Sequence, residues 1–309
     1  MKEVSIILPS FNHAKFLKKR LDSILNQTFS NWELIIIDDC SNDDSKIVLD
    51  KFVADNSTKV AHYIINKKNS GTGYSSWEKG ITLAEGKYIW IAESDDYCDK
   101  TFLEEQIGVL NKTNSSLAFC SSIYINEKDV ILYSSSNRTK KLNVNKERYQ
   151  EFISNIFIEN MPFEPFIING SSVVFKNCEN FPSIIFKHKQ MSDQFLWTSI
   201  IKNKSFVFLN KELNFFRRHN ESTTYLNSIK VNSKIYKEYI SYLNYFNLSN
   251  KKFKILIKHY IKHYVWKNKH QVFNSSIFND LENVKNIKIE YFKSLISFFY
   301  NKIVSKYGL

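Results

Sequence analysis

Two pairs of neighbouring acids in this chain follow directly on apolar runs. Asp38-Asp39 closes Trp32–Ile37, and Glu93-Ser94-Asp95-Asp96 closes Lys87–Ala92. Adjacent negative charges at the end of a buried strand are costly, and a hard divalent cation would relieve the repulsion while bridging to a diphosphate. Asp95-Asp96 suits that role. Read alone, the same stretch also makes an acidic turn ahead of the helix expected around Phe102–Leu110, which Asp99 or Thr101 can cap. Asp38-Asp39 opens a DDxSxDD string that describes a turn with a helix cap at Asp43 or Asp44. A carboxylate in that place can equally accept hydrogen bonds from a nucleobase imide or a ribose hydroxyl. No Walker GxxxxGK[ST] occurs, and Gly71-Thr72-Gly73 lacks the third glycine of a dinucleotide fingerprint. A glycine-rich phosphate cradle is therefore not expected.

The elements around these acids alternate between strand and helix signals. Val4–Leu8 reads as a strand buried on both faces, Trp32–Ile37 as a second buried strand, and Val60–Ile65 and Lys87–Ala92 as a third and a fourth strand. Between them Phe16, Leu17, Leu21, Ile24 and Leu25, then Ile47, Val48 and Phe52, then Trp77, Ile81 and Ala84 fall at helical spacing. Repeated units of this kind predict an α/β fold, a mostly parallel sheet flanked by helices. Ligands of such sheets bind beyond the carboxyl ends of the strands. The polar stretches Pro9–Asn12, Asp38–Asp44 and Glu93–Asp96 all lie there, which favours a nucleotide site. Farther on, Leu117–Ile125 reads as a strand, Arg148–Ile158 as a helix, Ile168–Phe175 as a strand, and Ser192 as the cap of a helix through Ile201. Trp77, Trp90 and Trp197 are read as core.

Composition narrows the class. The 309 residues are 43% hydrophobic and 15% aromatic, with only 7 Gly and 4 Pro, which excludes disordered, collagen-like and low-complexity chains. Four scattered cysteines, Cys40, Cys98, Cys120 and Cys178, lack CxxC spacing and suit reduced thiols better than a disulfide framework or a zinc site. Neither a signal peptide nor a transmembrane run is expected, and the chain is read as cytoplasmic. The charge is uneven. Residues 1–225 hold 28 Lys+Arg against 27 Asp+Glu, whereas 226–309 hold 15 Lys and 4 acids, nearly all of the net +12. Basic tails meet phosphates of nucleic acid or of an anionic membrane. Since every cation of this tail is lysine, specific nucleic-acid readout is disfavoured.

At four places the sequence resembles the family 2 inverting glycosyltransferases of the GT-A (Rossmann-like) fold. These are VSIILPSFNHAKFLKKRLDSILNQTFSNWELIIIDDCSNDDS, LAEGKYIWIAESDDY, SDQFLW and NFFRRHNEST, in the family's order and spacing over roughly residues 1–225. The resemblance implies a nucleotide-sugar-binding half over 1–115, an acceptor-binding and catalytic half over 116–225, and a basic helical extension over 226–309. Pro9, Ser10, Phe11 and Asn12 would line the nucleotide pocket, with Asp39 at a uracil-like base, Asp38 supporting its loop and Asp95 near the ribose. Asp96 would hold Mn2+ or Mg2+, with His219 as a further metal or diphosphate contact and Arg217 or Arg218 meeting phosphate. Asp193 would be the catalytic base. Glu93 stands where relatives more often have Asp, and Phe11 where many have Tyr.

The implied reaction is sugar transfer, with inversion, from an NDP-sugar (a UDP-sugar for preference) to a hydroxyl of a surface polysaccharide or lipid-linked glycan. Two alternatives stay open. A non-catalytic protein could bind phosphates or nucleic acid through its basic tail. A sugar nucleotidyltransferase is the other, although LPSFNHAKF lacks the triphosphate loop expected of one. The tail itself has two readings. In Lys251–His270, Phe253, Leu256, Ile257, Tyr260, Ile261 and Tyr264 form an apolar stripe between lysines. That stripe serves either a peripheral contact at the inner face of the cell membrane, or packing on the fold or on the second subunit of a homodimer.

Overall fold

The computed structural model describes residues 2–136, 148–177, 181–219, 234–265 and 287–307. The chain divides into two compact units, Met1–His219 and Asn220–Leu309. The first is mixed α/β. Strands β1 (Val4–Ser10), β2 (Trp32–Asp38), β3 (Val60–Ile65) and β4 (Tyr88–Ile91) alternate with helices α1 (Ala14–Leu25), α2 (Ser45–Asp55) and α3 (Gly73–Leu83). These four strands are parallel to one another, in the spatial order β3-β2-β1-β4. Both faces of β1, β2 and β4 are covered, as their uninterrupted apolar runs require, whereas the edge strand β3 is only half-buried. Val4, Ile6 and Leu8 pack with Leu17, Leu21 and Ile24 of α1 and Leu49 of α2, while Ile7 meets α3 on the opposite face at Gly80.

Beyond β4 the sheet becomes mixed and continues β9-β6-β10-β5. It is built from β5 (Tyr97–Cys98), α4 (Phe102–Thr113), β6 (Leu117–Ile125), β7 (Ile131–Ser134), β8 (Tyr149–Ile153), α5 (Ser154–Asn160), β9 (Val173–Lys176), α6 (Ser192–Ile201) and β10 (Ser205–Arg217). The thirteen-residue β10 runs parallel to β6 and antiparallel to β5 and β8. Residues 148–158, expected as one helix, divide into β8 and α5. The free edge of β10 offers backbone partners to Tyr149–Ile153, and Phe152 stacks on Phe206 with ring centroids 5.5 Å apart. Pairing and packing thus override local helical spacing. The strand expected over Ile168–Phe175 begins only at Val173, because Asn169 accepts from Ser171 N and winds Gly170–Ser172 into a 3-10 turn. Ser192 is the first residue of α6, with Met191 in the cap position; its hydroxyl donates to His188 O. Cys40, Cys98 and Cys120 are free thiols; Cys178 lies outside the described residues.

The second unit is helical: α7 (Lys234–Tyr245), α8 (Asn250–Tyr260), whose end widens into a π turn over Ile261–Val265, and α9 (Ile287–Tyr307). Here the stripe of α8 turns out to be core. Phe253, Leu256, Ile257, Tyr260 and Ile261 are all buried with Tyr236, Ile240 and Leu243 of α7 and Tyr291 of α9; the side chain of Tyr264 lies outside the described set. The rings of Tyr236 and Tyr260 meet edge to face at 4.8 Å, and Lys254 pairs with Glu290 at 3.3 Å. The lysines between these apolar residues stay at the surface, as an amphipathic helix requires.

Gly86 marks a close approach of backbone to backbone beside β1. A Cβ there would lie 2.5 Å from the backbone N of Ser5 and 2.8 Å from the carbonyl carbon of Val4. Backbone inside a buried sheet cannot step aside, so Gly86→Ala is expected to destabilise the fold by about 1–3 kcal/mol. A lowered midpoint in thermal or urea denaturation checks this.

Candidate active site

Register brings the sequence-marked stretches to one edge. Ser10 lies opposite Asp38 in the β1–β2 pair, and Ile7 opposite Ile91 in the β1–β4 pair. Pro9–Asn12, Asp38–Asp44 and Glu93–Asp96 therefore all leave the carboxyl ends of adjacent parallel strands. The first two are zipped together. Asp39 N donates to Ser10 O, Asn12 N to Ser41 Oγ and Asn42 N to Asn12 Oδ1. Asp38 accepts from both the N and Oγ of Ser41, so it holds the loop. The Asp39 carboxylate accepts from Asn66 Nδ2 at 2.7 Å and from the N and Oγ of Ser70. It ties the β3–α3 loop down and is itself buried. Phe11 remains 40% exposed at this edge, a ring open to stacking.

The acidic turn after β4 is a burial problem with two arginine answers. Arg20 is fully buried under it. Its Nε donates to Glu93 O at 2.7 Å and its guanidinium to Ser171 Oγ, which also accepts from Glu93 N. Glu93 turns its carboxyl to Trp77 Nε1 at 2.7 Å. Burial, then the charge of Asp95, push Glu93 up to about 8, against the pull of Trp77 and Arg20. Asp96, expected to hold the metal, is directed into the protein instead. Its two oxygens accept from Asn169 Nδ2 at 2.8 Å and Arg217 N at 2.9 Å. Burial and Asp95 push Asp96 up to about 6.

Asp95 faces differently. His219 Nε2 lies 3.0 Å from Asp95 Oδ2, and His13 approaches from the β1–α1 turn, its ring 5.5 Å from that of His219. One ligating atom from each of His13, Asp95 and His219 falls within 4.8 Å of the others. Burial works against the Asp95 charge, yet the two imidazoles outweigh it and hold this carboxyl down to about 2. An anionic oxygen and two imidazole nitrogens form a donor set that fits a divalent cation. His13 Nδ1 pairs with Ser94 Oγ at 2.8 Å, which orients its ring.

Arg217, a phosphate candidate from sequence, spends its donors inside the fold. Nε goes to Asp95 O, NH1 to Asn126 O and Glu127 O, and NH2 pairs with Asp129 at 2.7 Å. Its guanidinium also lies over Phe16, 4.5 Å from the ring centroid. Arg217 therefore clamps the acidic turn from the β10 side. Arg218 is half-buried over the rings of Tyr124 and Phe216. Asp193 stands in the first turn of α6, half-buried, where Oδ1 accepts from Gln194 N. One helical turn on, Trp197 packs on Trp77 at 5.8 Å, so the face of α6 that carries Asp193 is joined through Trp77 to Glu93. Residues 220–223 of NFFRRHNEST lie outside the described residues.

Sequence reasoning missed Arg20 and His13. Arg20 had a signal: it falls between Phe16, Leu17, Leu21 and Ile24 on the apolar face of α1, where an unpaired cation would not be tolerated. Arg20→Met would leave Glu93 O and Ser171 Oγ without this donor and should lower stability by about 1–3 kcal/mol. Arg20→Lys should restore only part, since one ammonium cannot serve Glu93 O and Ser171 Oγ with a planar fork. Thermal denaturation of both variants measures the difference.

The family described as Glycosyl transferase family 2 matches residues 5–168. The chain is similar to the putative teichuronic acid biosynthesis glycosyltransferase TuaG of Bacillus subtilis (strain 168), with 30% identity over 116 residues, 38% of this chain and 45% of that protein. It therefore spans under half of TuaG's length. It is also similar to the UDP-Glc:alpha-D-GlcNAc-diphosphoundecaprenol beta-1,3-glucosyltransferase WfgD of Escherichia coli, with 28% identity over 67% of this chain and 73% of that one. The crystal structure of S. aureus TarS 1-349 in complex with UDP superposes with a TM-score of 0.62 at 16% identity, covering 95% of this chain and 89% of that chain. At that identity the likeness is one of fold.

Proposed function

The chain belongs to glycosyl transferase family 2, and from that premise we propose that it transfers a sugar, with inversion, from a UDP-sugar to a hydroxyl of a cell-surface glycan acceptor. The observation that carries this reading is the His13–Asp95–His219 set, placed at the carboxyl edge of the parallel sheet beside the Ser10–Asn12 and Asp38–Asp39 loops. UDP in the TarS complex and UDP-Glc in the name of WfgD support the donor class. The diphosphoundecaprenol in WfgD's name supports a lipid-linked acceptor as one form of the glycan.

In this reading Phe11 stacks on the base, and Asp39, supported by the Asp38 loop, defines the wall beside it. Asp95, His219 and His13 would hold Mn2+ or Mg2+, whose charge, when bound, supplies Lewis-acid stabilisation to a diphosphate leaving group. Asp96 fixes the turn that aims Asp95 rather than serving as a ligand. Asp193 takes the proton of the acceptor hydroxyl. The freed oxygen forms a bond to the anomeric carbon from the face opposite the diphosphate, and the bond to the diphosphate breaks with its electron pair. General-base assistance of this kind contributes typically about 10²–10⁴-fold.

Two substitutions test separate halves. Asp193→Asn should bind UDP with near-parental affinity and lose transfer by at least ~10²-fold. Asp95→Asn should lose Mn2+-dependent UDP binding in calorimetry while Asp193→Asn retains it. Transfer that survives Asp193→Asn while UDP binding collapses would place Asp193 in the donor half and overturn its role as base.

A further inference from the structure

Helix α9 carries two apolar faces. One is inward: Tyr291 is 2% exposed in the core of the second unit, and Glu290 is held by Lys254 of α8. The other faces out. Ile289, Phe292, Ile296 and Tyr300 are 54%, 49%, 70% and 66% exposed. Steps of three, four and four residues align them along one side of the helix. A water-facing helix surface is ordinarily polar, and a continuous exposed apolar line marks a contact.

Charge decides what the contact is with. Residues 226–309 hold 15 Lys and 4 acids, and by helical spacing the exposed Lys288 and Lys293 border the apolar line on its two sides. A second copy docking here would bring like charge against like charge. An anionic surface attracts the lysines and offers an apolar layer beneath its headgroups to the line between them. Lysines are point charges without the planar fork that reads a specific phosphate, which matches a diffuse layer of anionic headgroups. No helix among the described residues is long and apolar enough to cross a membrane, so a contact of α9 with such a surface would run along it.

We propose that the outer face of α9 is an interfacial anchor that docks on an anionic lipid bilayer, with Ile289, Phe292, Ile296 and Tyr300 entering the headgroup–acyl boundary and Lys288 and Lys293 reaching the headgroup phosphates. This replaces the stripe of α8, which is core, as the surface that meets lipid. The inference does not rest on the sugar-transfer reading, and its test uses no sugar donor, so either can fail without the other.

The experiment is sedimentation of the full chain with vesicles of phosphatidylglycerol and phosphatidylcholine in equal parts, against phosphatidylcholine alone. The chain should pellet with the anionic vesicles, release as salt is raised, and stay in solution with the neutral ones. Phe292→Glu combined with Ile296→Glu should weaken partitioning by at least ~10-fold with an unchanged thermal midpoint, because both side chains are already in water. Lys288→Gln combined with Lys293→Gln, a milder pair, should weaken anionic binding and leave the midpoint alone. A parent chain that ignores anionic vesicles overturns the proposal, as does a Phe292/Ile296 variant that still binds like the parent. So does a parent that is dimeric in sedimentation equilibrium and becomes monomeric in that variant, which would assign the face to a second copy.

Discussion

Three carboxyl groups within four residues at the end of β4, Asp96 buried and Glu93 and Asp95 partly so, can coexist only because Arg20 lies beneath them and Arg217 beside them. Arg20 holds the turn by its backbone, through Glu93 O and through Ser171 Oγ, while Arg217 holds Asp95 O and donates its own backbone N to Asp96. Neither arginine pairs directly with an acid of the turn. The cationic field lowers the cost of burial, and the carboxylates keep separate tasks. Glu93 is pushed towards its neutral form against Trp77, Asp96 is fixed by hydrogen bonds, and Asp95 keeps its charge between two imidazoles. Environment, more than residue type, has sorted three similar groups.

The same constraint organises the surrounding fold. Arg20 reaches the turn from α1, so α1 must pack on the face of the sheet where Trp90 lies, and the guanidinium sits 5.4 Å from that ring centroid. Ser171 reaches it from the 3-10 turn ahead of β9, and Asn169 from the residue just before that turn. Gly170 between them leaves room for Trp77, where a Cβ would come within 2.8 Å of the indole. Trp77 in turn contacts both Glu93 and Trp197. The acidic turn is thus the point where α1, α3, β9, α6 and β10 are brought into register with one another.

Much of this architecture was legible in the sequence, and for a physical reason. Strands buried on both faces must be apolar throughout, so VSIILP, WELIII and KYIWIA announce themselves, and a parallel sheet sends the polar residues that follow them to one edge. Legibility failed where the deciding partner is remote. The segment 148–158 has helical spacing, but the open edge of β10 recruits its first half as a strand. Asp95 and Asp96 are indistinguishable as letters; only Asn169 and the backbone of Arg217 turn one inward, and only His13 and His219 claim the other. The stripe of α8 satisfied a core and a surface reading equally, since periodicity reports that a face is covered and not by what. Arg20 was the readable exception, a charge on the apolar side of α1.

The histidine–aspartate set is assembled from three distant points of the chain: His219 meets Asp95 across 124 residues, and His13 arrives from the first helix turn. His219 is delivered by β10, which must already be seated between β6 and β5 to bring it there. A chain emerging from the ribosome can complete the β1–β4 layer well before β10 exists, because local units fold as they appear. It would then carry the loops after β1 and β2 without the full donor set. Any cation affinity of this set would therefore be a late acquisition of folding, and an ion bound there would weight the equilibrium towards chains whose last strand has docked.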